Sequence, residues 1–138
     1  MPSQPRFLAE RSGDQTGYNA DSQGDSVVIY NTAPQNIGSH YNTSTGKFTA
    51  PVAGMYVFQA ASYNNFSVPQ VWLVINGSRA VYTDFAVASS CGLFGGMTWI
   101  VYLNANDSVG YHAYAPSVTS GTVYASTHHT WFKGYLLG

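Results

Sequence analysis

The chain has 138 residues, of which 45% are apolar and only 8% charged, with eleven Tyr, seven Phe, three Trp and a formal charge of −1. A chain of this length suits one domain that buries roughly two-thirds of the surface its unfolded form exposes, and so many apolar residues with so little charge exclude disorder. The cations Arg6, Arg11, Lys47, Arg79 and Lys133 stand singly, which leaves no basic patch for nucleic acid, and no apolar run approaches the ~20 residues of a membrane-inserted helix.

No stretch carries helical periodicity, and clusters of Gly, Pro, Asn, Asp and Ser recur at short intervals, the pattern of an all-β chain with many short strands. Strands are predicted at residues 6–11, 26–31, 48–49, 55–63, 70–76, 80–86, 96–104, 108–114 and 129–137. Residues 12–24, rich in Gly, Asp, Gln and Ser, read as a surface loop. Asn76 and Gly77 form a hairpin-type turn after Val71, Trp72, Leu73, Val74 and Ile75, and residues 104–107 form a second polar turn.

Strand composition carries a hint about assembly. Residues 108–114 alternate loosely, with Val109, Tyr111 and Ala113 against Gly110, His112 and Tyr114, as expected of a strand with one wet face. By contrast Met55, Tyr56, Val57, Phe58, Ala60 and Ala61 are apolar on both faces. So are Met97, Trp99, Ile100, Val101, Tyr102 and Leu103, and the closing Trp131, Phe132, Tyr135, Leu136 and Leu137. A sandwich covers only one face of each sheet, so the other is expected to pack against another subunit. Burying each large side chain contributes on the order of 1.5 to 3 kcal/mol, and leaving them open would create an aggregation-prone patch. Tyr56, Phe58, Met97, Trp99, Val101, Trp131, Tyr135 and Leu137 are the expected interface residues.

The order of residues from Tyr41 onward is more specific. Tyr41, a polar turn through Asn42, Thr43, Ser44 and Thr45, then Gly46, Lys47, Phe48, Thr49, Ala50, Pro51, and Gly54 before Tyr56 and Phe58, resembles the characteristic segment of C1q-like domains. The terminal Trp131, Phe132, Lys133, Gly134, Tyr135, Leu136 and Leu137 resemble the closing strand of the same family. Pro5, Arg6, Phe7, Leu8 and Ala9 are similar to its Pro-x-Phe-x-Ala start. The resemblance implies one C1q-like domain over residues 1–138, with 1–4 a loose start. Its expected fold is the all-β, ten-stranded, two-sheet jelly-roll sandwich of the C1q/TNF superfamily, assembling as a compact homotrimer about a threefold axis.

Little in the chain suits chemistry. Cys91 is alone, so no intrachain disulfide can form, and a buried thiol is expected. Adjacent His128 and His129 on a strand would point to opposite faces, and no zinc spacing occurs. Asn-x-Ser/Thr sequons at Asn42, Asn65, Asn76 and Asn106 are near what the composition alone supplies. Asp84 and Asp107 are the candidate ligands of a structural calcium of the kind some C1q-like trimers hold; two acids are a sparse shell for an ion wanting six to eight oxygens, unless threefold symmetry multiplies them. No other cofactor is implied. No Gly-x-Ser-x-Gly elbow occurs and no enzyme is expected.

Recognition suits the composition better, because Tyr, Trp, Asn, Ser and Gly join rigid aromatic area to adaptable hydrogen bonding. Candidate contacts lie in three clusters: Tyr63, Asn64, Asn65 and Phe66; Tyr82 with Asp84; and Tyr114, Ser117, Tyr124 and His128. The expected partner is a cell-surface glycan or a protein receptor, met by a non-enzymatic trimeric head. The absence of a secretory signal, a cysteine pair and a collagen repeat turns expectation toward the tip of a phage tail fibre on a virion surface, joined to a fibre or stalk segment outside this sequence. A capping domain that only registers a trimeric fibre, or a secreted immune or signalling ligand, is the alternative.

Overall fold

The computed structural model describes residues 4–84, 92–126 and 128–138. Among them twelve strands run in the order β1 (Arg6–Glu10), β2 (Gln15–Tyr18), β3 (Thr32–Ile37), β4 (Tyr41–Asn42), β5 (Lys47–Thr49), β6 (Gly54–Asn64), β7 (Gln70–Ile75), β8 (Ser78–Asp84), β9 (Gly92–Leu103), β10 (Ser108–Tyr114), β11 (Gly121–Val123) and β12 (Trp131–Leu136). The first sheet has the order β2-β11-β6-β12-β1-β3, with β9 also paired to β6, and the second has the order β4-β5-β10-β7-β8. The pairings are antiparallel. This is the all-β architecture that the residue pattern predicts and the two-sheet jelly roll that the resemblance implies, drawn as twelve short segments rather than ten.

Residues of alternate parity on each strand fill the space between the sheets. From the first sheet come Phe7 and Ala9 of β1, Tyr56, Phe58 and Ala60 of β6, Trp99 and Leu103 of β9, and Phe132 of β12; from the second come Val71 and Leu73 of β7 and Val109, Tyr111 and Ala113 of β10, all buried. Aromatic rings dominate this layer. Phe7 stacks on Tyr41 at 4.8 Å and on Phe48 at 5.1 Å, and meets Phe132 edge-on at 5.0 Å. Gly134 makes room for them, since a Cβ there would stand 2.5 Å from the Phe58 ring and 3.0 Å from that of Phe7.

Turns follow local chemistry. Asn76 and Gly77 both take positive φ, 52° and 80°, the backbone demanded by a type I′ hairpin turn. The Asn76 side chain ties this turn to the next, donating to Asp107 Oδ1 at 2.8 Å and accepting from the Ser108 N–H at 3.0 Å.

Several sequence expectations change. Residues 26–31 are not a strand, although Val27, Val28 and Tyr30 are buried. The segment touches β10 through the Val28 N–H to Tyr111 O bond, but side chains take the backbone of Ile29: Gln15 Oε1 accepts from its N–H and Arg11 donates to its carbonyl. Part of the supposed loop 12–24 is strand β2, and β11 was not predicted at all. Both are short, polar or glycine-containing, and their register is irregular, so neither carries an alternation to read. Strand β3 escaped for a related reason, with Pro34 in its middle and a place at the end of the sheet order, where proline is tolerated. The buried-thiol expectation for Cys91 and the last two residues of predicted strand 80–86 lie outside the described residues.

Candidate functional site

The outer face of the first sheet carries a set of exposed apolar side chains. Cross-strand pairs place Met55 opposite Tyr102, and Val57 opposite both Ile100 and Tyr135. Ile100 is 60% exposed, Tyr102 61%, Tyr135 46%, Leu137 49% and Met55 40%. A shallow cavity of about 460 Å³ opens on the same face, lined among others by Arg6, Leu8, Gln59, Lys133 and Tyr135. Here the expected interface set needs correction. Tyr56, Phe58 and Trp99 are buried inside their own sandwich, and Met97 and Val101 pack against that core. Trp131, Tyr135 and Leu137 do belong to the outer face, joined by Met55, Ile100 and Tyr102. With both parities apolar, sequence alone could not say which one faces in.

The first recognition cluster divides on folding. Tyr63 is partly exposed and its ring lies 5.1 Å from that of Tyr124 and 6.1 Å from that of His129. Asn64 is turned inward, donating at 3.0 Å to Ser62 Oγ, which in turn meets Tyr111 Oη at 3.0 Å. Phe66 is buried, stacked at 6.1 Å on Tyr18. Asn65 is exposed, but its side chain accepts from the Thr122 N–H and fixes a turn. The division follows the steady alternation of β6, which carries Tyr56, Phe58, Ala60, Ser62 and Asn64 on its buried face and Tyr63 on the other. His128 is exposed near His129, at 6.4 Å between rings, so Tyr63, Tyr124 and His128 share a neighbourhood, while Tyr114 lies on the other sheet.

That other sheet carries a row of stacked groups on its outer face. Trp72 of β7 pairs in register with Tyr82 of β8, and their rings stack at 4.5 Å. On the other side of Trp72 stands the Arg79 guanidinium, its central carbon 4.8 Å from the Trp72 ring centroid and 4.7 Å from that of Tyr114. Strand spacing sets the Trp72–Tyr82 pair, whereas Arg79, also from β8, reaches across β7 to lie against both Trp72 and the Tyr114 ring of β10. Tyr82 ends the row and is 50% exposed. Sequence reading found Tyr82 and Tyr114 but missed Trp72 and Arg79. Trp72 was hidden in an apolar run, and Arg79 is an isolated cation whose partners lie on two other strands.

Directly opposite Trp72 on β10, His112 is fully buried. Its Nδ1 meets Tyr18 Oη at 2.8 Å, while among the described residues its Nε2 has no hydrogen-bond partner. Burial, more than the nearby Arg79, lowers its pKa from 6.5 to about 4, against the opposing pull of backbone carbonyls at Ser26 and Ala20 and of Asp25. Burial likewise raises the pKa of Tyr18 well above its ordinary value, so Tyr18 stays a neutral hydroxyl beside a neutral imidazole.

A calcium shared by Asp84 and Asp107 does not fit within one subunit. The Asp84 backbone pairs with Gln70 at one end of β7, and Asp107 bonds to Asn76, just past the other end, roughly 16 Å away along the strand. The Asp107 carboxylate is already engaged by the Asn76 side chain and the Asn104 N–H, which hold its pKa below the usual range. Among the described residues no group of three His, Cys, Asp or Glu could hold a metal ion.

Two antiparallel sheets with an aromatic core, an apolar outer face on one and a stacked row on the other define a jelly-roll domain of the C1q/TNF type. The family model of the C1q domain matches residues 7–137, and the chain belongs to that family. It is similar in fold to the globular domain of the zebrafish complement 1qA protein, with 17% identity, 99% of this chain and 98% of that one covered, and a TM-score of 0.62. It is also similar to Eiger TNF from S. frugiperda, with 10% identity, coverages of 98% and 93%, and a TM-score of 0.65. Murine APRIL matches at 11% identity over 98% of this chain and 100% of that one, with a TM-score of 0.58. At such identities these likenesses show the fold.

Proposed function

We propose that this C1q domain is a non-enzymatic recognition head that works as a homotrimer outside the cell, most specifically at the tip of a phage tail fibre on the virion surface. The observation that carries the assembly is the apolar outer face of the first sheet: Met55, Ile100, Tyr102, Tyr135 and Leu137 are each 40% exposed or more and lie side by side across β6, β9 and β12. A patch of that kind marks an interaction surface, and a second copy of the same sandwich offers the matching apolar cover. The partner is a cell-surface glycan or protein receptor. Sparse charge and abundant neutral donors on aromatic frames favour contacts that form by stacking and hydrogen bonding rather than by long-range charge.

Three equivalent weak sites on one particle raise apparent affinity by roughly 10² to 10⁴ over a single site. Binding to a glycan array and to receptor-bearing cells, compared between the wild type and a Tyr102→Asp variant, tests both halves. The wild type should sediment as a trimer and bind, while the variant should sediment as a folded single subunit with apparent affinity at least a hundredfold weaker. A wild type that remains a single subunit at working dilution, or an equally avid variant, would overturn the proposal.

A further inference from the structure

The hairpin turn between β7 and β8 holds the only Asn-Gly pair in the sequence, Asn76 and Gly77, and both residues are exposed. Chemistry singles this pair out. An asparagine amide carbon is an electrophile within reach of the next backbone nitrogen, and a glycine there has no Cβ to hinder the approach. What opposes the reaction is the way the side chain is held. Asn76 Nδ2 donates to Asp107 Oδ1 at 2.8 Å, its Oδ1 accepts from the Ser108 N–H at 3.0 Å, and its backbone N–H donates to Ser108 O at 3.0 Å. Asp107 is itself fixed, with Oδ2 accepting from the Asn104 N–H at 2.8 Å. Attack requires the amide to rotate and present its carbon to the nitrogen, and two hydrogen bonds to fixed partners resist that rotation.

We propose that Asn76 is a site of spontaneous deamidation and that Asp107 is the positioning residue restraining it, so that modification, once it occurs, turns the clasp between the two turns into a repelling pair. The Gly77 nitrogen bonds to Asn76 Cγ, and its proton leaves with the amide nitrogen as ammonia; water then opens the five-membered imide. Cleavage of the new bond leaves aspartate at this position, and cleavage of the original peptide bond leaves isoaspartate. One water is consumed, one ammonia is released and nothing is oxidised. In either product a carboxylate replaces the amide donor beside Asp107, and two like charges cannot share that hydrogen bond. Isoaspartate also lengthens the main chain by one carbon inside a two-residue turn, which the type I′ geometry does not admit. The site is independent of what the domain recognises, because it acts on the stability of one end of the second sheet.

Incubation of the whole chain at mildly alkaline pH, followed by peptide mapping in the mass spectrometer, tests this. A gain of about 1 Da should appear at Asn76 before any other asparagine, divided between aspartate and isoaspartate, and more slowly in the folded protein than in urea. Asp107→Ala should speed it about fivefold, the worth of one net hydrogen bond, with the far-ultraviolet spectrum of the wild type. Asp107→Asn keeps an acceptor and should speed it less. Asn76→Asp mimics one product and tolerates the same left-handed backbone; it should lower the urea midpoint at neutral pH. Adding Asp107→Asn should recover most of that loss, a coupling that independent structural roles would not give. The inference is overturned if another asparagine is modified first in the folded protein, if Asp107→Ala and the wild type are modified at equal rates, or if Asn76→Asp is as stable as the wild type. Should Asp107→Ala lose its fold, the paired variants decide: no recovery of Asn76→Asp by Asp107→Asn also overturns it.

Discussion

His112 shows how a single buried residue ties stability to pH. It is enclosed by β10 beneath it and by the segment through Ala20 and Ser26 above, with Tyr18 Oη on one ring nitrogen. Burial lowers its pKa from 6.5 to about 4, so the unfolded chain binds more protons than the folded one between those values. The stabilising effect of the neutral ring is therefore complete above about pH 6.5 and is lost as pH falls toward 4. A shift of this size corresponds to at most about 3 kcal/mol. Urea unfolding at pH 7 and pH 4.5 should show the wild type losing much of that amount. His112→Gln, which keeps an amide to meet Tyr18, should lose distinctly less over the same interval. Equal losses in the two proteins would mean that other groups, not His112, set the acid limit.

At the scale of elements, the central question is which way β9 faces. Along this strand Trp99 and Leu103 are buried in the core, and Ile100 and Tyr102 stand exposed outside. Neighbouring substitutions should thus act on different properties. Trp99→Ala removes a large core side chain and should lower subunit stability by roughly 3 to 5 kcal/mol, read as an earlier denaturant midpoint. Ile100→Lys should leave the far-ultraviolet spectrum intact and yield single subunits in sedimentation. If both substitutions unfold the chain, or neither affects assembly, the facing seen in the structure does not govern association. Strand β6 shows the same division: Tyr56, Phe58, Ala60, Ser62 and Asn64 are buried on one face and Met55 stands exposed on the other, the register shift beside Ala60 and Ser62 being taken up by an extra residue on β9. Ser62 and Asn64 therefore enter the core region, where the Ser62 hydroxyl and Tyr111 Oη satisfy one another, and Tyr63 faces out. Once the facing of Tyr56 is known, a steady alternation along β6 places Ser62 and Asn64 inside and Tyr63 outside.

For the molecule as a whole, the proposed trimer would make stability and assembly one equilibrium. If folded subunits are held as a trimer by the outer face of the first sheet, unfolding releases three chains, and the unfolding temperature must rise with protein concentration. Scans over a hundredfold range of concentration should show a rise of several degrees in the wild type and none in Ile100→Lys. A wild-type transition independent of concentration would place the subunit's stability wholly in its own sandwich. Sparse charge sharpens the expectation, since an apolar interface should respond little to added sodium chloride, unlike one held by ion pairs.

Much of this protein was legible in its residues. The recurring turn formers and the two-sided apolar strands suffice for an all-β chain, because turn chemistry and hydrophobic periodicity are local properties that survive in any linear reading; the C1q type came from the resemblance of the Tyr41 to Phe58 and Trp131 to Leu137 runs to that family. Only the tertiary structure decided which parity of β6 and β9 faces the core, that Asn64 and Phe66 turn inward, that Asp84 and Asp107 stand far apart, and that Trp72 and Arg79 join Tyr82 and Tyr114 in one row. Those facts depend on register between strands distant in the chain. A one-residue shift of register exchanges the two faces of a strand, and where both faces are apolar nothing in the local sequence records which exchange was made.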